Sequence, residues 1–236
     1  MTIHSLRGNG RSLIVVVVSM LVFVSCACAP APRPGSGNFT ARVITSDGAY
    51  SVAVSGGNLN VRNGGSRRGA DTRIVVTEAG SPANSVCATI KPVRGGLTAF
   101  SQPGVALHVR SSGGRTTAIT LTNNVLWGAR WNWNVHYMDS GRRPTHVGLG
   151  SITAPGFYRQ GQPMPPLPWR VCARTVGNSL QGKIWKAGAR EPAWGDPNFG
   201  GAVVLPSGLA NGGESGIYAG HLDPGQQLNF GDIGHF

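Results

Sequence analysis

The chain has 236 residues, of which 36 are Gly and 16 Pro, and only 13% are charged. So much Gly and Pro supplies turns and breaks helices, which favours an all-β domain over a helical bundle. Basic residues outnumber acidic ones by 21 to 9, for a formal charge of +12, which points toward anionic surroundings or polyanionic partners.

The chain opens with a segment that sets the compartment. Arg7 and Arg11 precede an apolar run from Leu13 to Val24, the form of a secretory signal and on the short side for a membrane span. Phe23-Val24-Ser25-Cys26 follows. It resembles the bacterial lipobox, in which small residues precede a Cys that is lipidated on sulfur and becomes the mature N-terminus; Phe23 departs from the usual Leu. The resemblance implies a removed signal peptide at residues 1–25 and lipidation of Cys26. Cleavage at Ala27-Cys28-Ala29, which Pro30 disfavours, and an uncleaved anchor reaching Ala29 stay open as alternatives. Residues 26–38 read as a Pro/Gly-rich linker that cannot pack. The expectation is an exported protein, held on the outer face of the cell membrane by an N-terminal lipid or secreted, with no nucleic acid as partner.

From residue 39 to 236 the pattern is one of short alternating runs broken by Gly, Asn and Pro. It predicts strands at Tyr50–Val54, Asn58–Arg62, Arg73–Thr77, Val86–Val93, Val105–Arg110, Thr117–Thr122 and Trp131–Met138. Further strands are predicted at 170–176, 179–186, Ala202–Leu205, Gly216–His221 and Gln227–Ile233. About a dozen strands at this spacing imply one antiparallel two-sheet sandwich or jelly roll, which the length fills without a second domain.

The stretch Trp169–Trp194 carries the most information. A two-residue turn at Gly177-Asn178 suits positive φ and fixes the register of both flanking strands. Val171, Ala173, Thr175, Leu180, Gly182 and Ile184 then share one mostly apolar face, while Arg170, Cys172, Arg174, Gln181, Lys183 and Trp185 share the other. In Val86-Cys87-Ala88-Thr89-Ile90 the same alternation turns Cys87 outward. Two outward cysteines in an exported chain predict a Cys87–Cys172 disulfide, provided their strands are neighbours.

The segments V-C-A-R-T-V-G-N-S-L-Q-G-K-I-W (171–185), G-A-R-E-P-A-W-G-D-P (188–197), G-I-Y-A-G-H-L (216–222) and F-G-D-I (230–233) resemble the C-terminal part of concanavalin A-like jelly rolls of the laminin-G type. Such domains recur in secreted actinobacterial proteins and in minor tail proteins of their phages. The resemblance implies a two-sheet jelly-roll sandwich whose members mostly bind glycans or other surface ligands through one sheet face or the loops at one end. Some relatives hydrolyse glycans, and some hold a calcium ion at the sandwich edge.

The nine acidic residues give no i, i+2 or i, i+4 carboxylate pair along a strand, and glycoside hydrolysis ordinarily needs two carboxylates about 5 to 10 Å apart. Glu191 and Asp196 lie in a Pro-rich turn, where capping is the ordinary role. Asp71, Asp139 and Asp232 are the candidates for calcium, but their spacing does not assemble six oxygens. No metal and no cofactor is expected.

Trp127–Met138 is the most distinctive strand, with Trp127, Trp131, Trp133, Val135 and Tyr137 on one face and Arg130, Asn132, Asn134 and His136 on the other. Either the rings fill the core, or Trp131 and Trp133 form an exposed stacking platform. With the rings buried, Arg130, Asn132, Asn134 and His136 supply planar donors for sugar hydroxyls, beside outward His108 and Arg110. Arg170, Arg174, Lys183 and Trp185 are expected to extend that surface if the hairpin joins the same sheet, the basic members favouring an anionic glycan. The function expected is therefore a non-catalytic domain binding a surface or envelope glycan. A structural or phage-related surface protein engaging a protein partner comes next, and a glycoside hydrolase third.

Overall fold

In the computed structural model of the protein, residues 41–46, 49–66, 73–98, 100–123 and 132–236 are described here. Every described residue belongs to one compact unit, Ala31–Phe236. The signal peptide, Cys26 and the linker to residue 38 lie outside the described residues.

Among the described residues there are fourteen strands. They are β1 (Ala41–Ser46), β2 (Tyr50–Ser55), β3 (Asn58–Asn63), β4 (Arg73–Glu78), β5 (Ser85–Lys91), β6 (Gln102–Ser112) and β7 (Arg115–Asn123). The second half comprises β8 (Asn132–Asp139), β9 (His146–Thr153), β10 (Trp169–Val176), β11 (Ser179–Lys186), β12 (Gly200–Val204), β13 (Glu214–Gly220) and β14 (Gln227–Gly234). They form two seven-stranded antiparallel sheets, sheet A in the order β1-β4-β13-β6-β7-β8-β9 and sheet B in the order β12-β11-β10-β5-β14-β3-β2. The all-β sandwich expected from the sequence is the observed fold. Strands β1 and β9 were not among the predicted runs: Gly148 and Gly150 interrupt the alternation of β9, and Arg42 and Thr45 dilute that of β1.

The hairpin β10–β11 has the predicted register, with Val176 opposite Ser179, Thr175 opposite Leu180 and Val171 opposite Ile184. Gly177 takes a φ of 55°, a conformation that costs Gly nothing. The inward row Val171, Ala173, Leu180 and Ile184 is fully buried. It packs against Leu107, Ile119, Leu121, Trp133, Val135 and Ile152 of sheet A. Gly182 sits in this row for a steric reason. A Cβ there would lie 2.7 Å from Leu121 Cδ2 and 3.0 Å from Ile152 Cδ1, so the two sheets meet across its missing side chain.

Cys87 and Cys172 are directly opposed on the neighbouring strands β5 and β10 and form a disulfide with a Cα–Cα distance of 4.1 Å. The disulfide is fully buried under Trp185, Trp194 and Phe199 on the outward side of sheet B.

Candidate functional site

The hairpin joins the opposite sheet from β8. Asn132, Asn134 and His136 lie on the outward face of sheet A, while Arg170, Arg174, Lys183 and Trp185 lie on the outward face of sheet B. The shared sheet on which one continuous surface depended is absent, and the whole core separates the two groups. Arg130 and Trp131 lie outside the described residues. Trp133 is 1% exposed and packs edge-on against Trp169 at 6.5 Å, so it is core and not a stacking platform.

His108, expected to face outward, points into the sandwich. It is buried with a φ of 51°, and its Nε2 meets Thr175 Oγ1 of sheet B at 2.8 Å. A bulge between Leu107 and Arg110 breaks the alternation that would have turned the ring outward. Burial lowers its pKa, partly opposed by the Gly212 carbonyl and reinforced by Arg110.

On the outward face of sheet B, the connection from Ala187 to Phe199 folds back over the hairpin. Lys183 is 3% exposed beneath it. Its Nζ donates to Glu191 Oε1 at 2.5 Å and to the Pro192 carbonyl at 2.9 Å, and lies 4.4 Å from the Trp194 ring centre. Burial pulls the Lys183 pKa down, and the Glu191 carboxylate works against that pull. Arg174 also stacks on Trp194, 4.3 Å from the ring centroid, with its Nε donating to Gln181. The basic row of the hairpin is thus internally partnered. It is not the open cationic surface that alternation alone implies.

Beside this cover a cleft of about 290 Å³ opens, lined by Thr89, Arg170, Trp185, Glu191, Asp232 and the turn at residues 187–189. Arg170 is fixed by donating to the Asp232 carbonyl at 2.5 Å and to Thr89 Oγ1 at 3.2 Å. Burial lowers its pKa, opposed by Asp232 and Glu191. Two of the predicted residues, Arg170 and Trp185, line the cleft, and Lys183 sits behind Glu191. Thr89 and Glu191 are not read as site residues from the sequence, and Asp232 is weighed there only for calcium. They come from β5, a loop and β14, and only the pairing of β5 with both β10 and β14 brings them together.

On sheet A, Thr120 faces His136 and Thr122 faces Asn134 across β7 and β8. Both Thr hydroxyls are buried with no hydrogen-bond partner among the described residues, as is His146 Nε2. The His146 ring packs edge-on against His136 at 6.0 Å and Tyr218 at 6.2 Å. Burial, together with Arg73, His136 and His221, pushes its pKa down to about 3.

Ser215, His235 and Glu78 form an incomplete Ser–His–Glu chain, with Ser215 Oγ 2.9 Å from His235 Nδ1 but His235 Nε2 3.7 Å from Glu78, beyond hydrogen-bond distance. Ser215 is fully buried, and its hydroxyl also meets the Pro82 and Ser85 carbonyls at 2.6 and 2.8 Å. A nucleophile so enclosed reaches no substrate, and the chain secures the C-terminal strand instead. Among the described residues no three His, Cys, Asp or Glu side chains converge on a metal position.

No family model matches the sequence, and no curated protein matches it. Among solved structures, the carbohydrate-binding module CBM66 from Bacillus subtilis superposes with a TM-score of 0.44 at 6% identity, over 82% of this chain and 92% of that one. A functionally unknown protein from Saccharomyces cerevisiae gives 0.42 at 8% identity, over 84% and 95% of the two chains. The CBM2 module of the evolved Dit of Lactobacillus casei BL23 phage J-1 gives 0.38 at 12% identity, over 78% and 77%. Likeness at this level decides neither ligand nor site, which rest on the residues themselves.

Proposed function

We propose that the protein is an exported, non-catalytic domain that binds a surface or envelope glycan, tethered through a lipid on Cys26. The cleft beside the sheet B hairpin is the observation that carries this reading. It combines a donor-only guanidinium, two acceptor carboxylates, a hydroxyl and an indole around a volume suited to a small ligand. Sugar hydroxyls each donate and accept, and their apolar ring face stacks on aromatic carbon. Arg170 and Lys183 against Glu191 and Asp232 leave no net charge around the cleft, which favours a neutral, hydroxyl-rich sugar over an anionic one. The disulfide fits an oxidising compartment.

The two carboxylates in one cleft bear on hydrolysis. Glu191 Oε1 already accepts from Lys183 Nζ, so this carboxylate is engaged by the fold, and binding without turnover is the reading we favour.

The unpartnered Thr120 and Thr122 hydroxyls beneath Asn134 and His136 favour a second reading, in which the sheet A face takes the glycan. Pull-down of the full-length protein on envelope polysaccharides and a glycan array separates the two. Loss in Arg170→Ala, with binding kept in Asn132→Ala/Asn134→Ala, supports the sheet B cleft. The reverse pattern supports sheet A, and absence of glycan binding in the folded wild type rejects both.

A further inference from the structure

At one end of sheet A the β6–β7 and β8–β9 turns meet, and the loop 139–145 is tied down by its own hydrogen bonds. Asp139 N donates to the Thr145 carbonyl at 2.8 Å, Ser140 N to the Thr116 carbonyl at 2.9 Å, and Thr116 N to Ser140 Oγ at 2.8 Å. The Asp139 carboxylate, 1% exposed, sits at its centre. Arg115 grips it with two bonds, Nε at 2.8 Å and Nη2 at 2.6 Å, and Arg142 Nε approaches at 3.1 Å. Arg143 folds back so that its Nη1 donates to the Arg142 carbonyl at 2.9 Å. Gly141 leaves the room this needs, since a Cβ there would lie 3.1 Å from Arg115 Cδ and 3.2 Å from its Nε.

One buried carboxylate therefore holds two guanidinium groups that are themselves more than half exposed, 55% for Arg115 and 59% for Arg142. A third, exposed Arg stands beside them. Three positive charges against one negative leave an excess of two on a braced loop. Arg115 and Arg142 are thus held by Asp139 while more than half of each side chain stays in water. Planar guanidinium donors held in place match the tetrahedral oxygens of phosphate, and a pre-ordered cluster loses little side-chain freedom on binding.

We propose that Arg115, Arg142 and Arg143 form an anion site for a phosphate group, with Asp139 as the positioning residue. It lies apart from the sheet B cleft and does not depend on the glycan reading. A phosphate of this kind is presented by a soluble phosphate polymer or by a lipid headgroup.

The test is binding of the full-length protein to defined-length polyphosphate and, in parallel, to phosphatidylglycerol vesicles against phosphatidylcholine ones, at fixed low salt. Wild type is expected to bind at least one of the two anionic probes, and the one bound identifies the source. Arg142→Lys/Arg143→Lys keeps the charge but loses the planar fork, so it should weaken binding about tenfold. Asp139→Asn, with its fold checked by circular dichroism, adds a positive charge yet should also weaken binding, because Arg115 and Arg142 lose their brace. Binding of neither probe, or a lysine variant as tight as wild type, overturns the proposal. So does a folded Asp139→Asn that binds more tightly, because net charge alone would then account for the affinity.

Discussion

Lys183 Nζ and Glu191 Oε1 are joined at 2.5 Å across the base of the sheet B cleft, one side chain from a strand and the other from the connection that covers it. The pair couples the fold to the site. It pins the covering connection to the hairpin and presents Glu191 to the cleft as a fixed acceptor.

Breaking the pair from one side should cost more than removing it. Glu191→Gln leaves an ammonium group buried without its counter-charge and should lower stability by roughly 1–3 kcal/mol. Lys183→Met/Glu191→Gln should recover most of that loss, because a similar volume is refilled without a buried charge. Chemical denaturation of the single and double variants measures both. A double variant no more stable than Glu191→Gln would mean the ammonium was not the source of the cost.

Cys87→Ala/Cys172→Ala should destabilise the domain by about 4–5 kcal/mol, since the bridge closes a loop with a sequence separation of 85. Thermal melts with and without reductant check this. Wild type should fall to the level of the double variant under reduction, while the variant itself should not respond.

Acid should destabilise the sheet A face. His146 has a pKa of about 3 in the fold against 6.5 for an ordinary His, so between those values the unfolded chain binds the proton more strongly. Stability contributed by the neutral ring is present above about pH 6.5 and declines as the pH falls toward 3. Arg73, His136, His221 and Tyr218 surround the ring, and burial lowers the pKa of His136 as well. His146→Phe should flatten the loss of stability between pH 6 and 4, measured by denaturation at each pH. An unchanged slope would contradict this assignment.

Trp133→Ala should cost about 3–5 kcal/mol, the range for emptying a large buried ring site. Denaturation measures it, and a loss below about 1 kcal/mol would contradict the placement of Trp133 in the core.

The local pattern carried much of this structure. Two-residue alternation and the Gly177-Asn178 turn set the β10–β11 register correctly, and placed Cys87 and Cys172 on one face. Alternation also separated Trp133 and Val135 from Asn134 and His136 on β8. What it could not carry is which sheet a hairpin joins, because strand order depends on long-range pairing that no local period encodes. Hence Asn134 and Arg170, which could share a surface only if their strands shared a sheet, stand on opposite faces of the sandwich. The bulge at His108 and the covering of Lys183 by residues 187–199 are likewise invisible to periodicity. Glu191 and Asp232, 41 positions apart in the chain, line one cleft for the same reason.

On the proposed reading, the sheet B cleft holds the glycan. The most direct test is an NMR titration of the full-length protein with a glycan found on the array. The Trp185 indole N–H is expected to shift saturably while the Asn132 and Asn134 side-chain amides stay still. Saturable shifts of those amides with an unmoved Trp185, or no shift with any glycan, would contradict it.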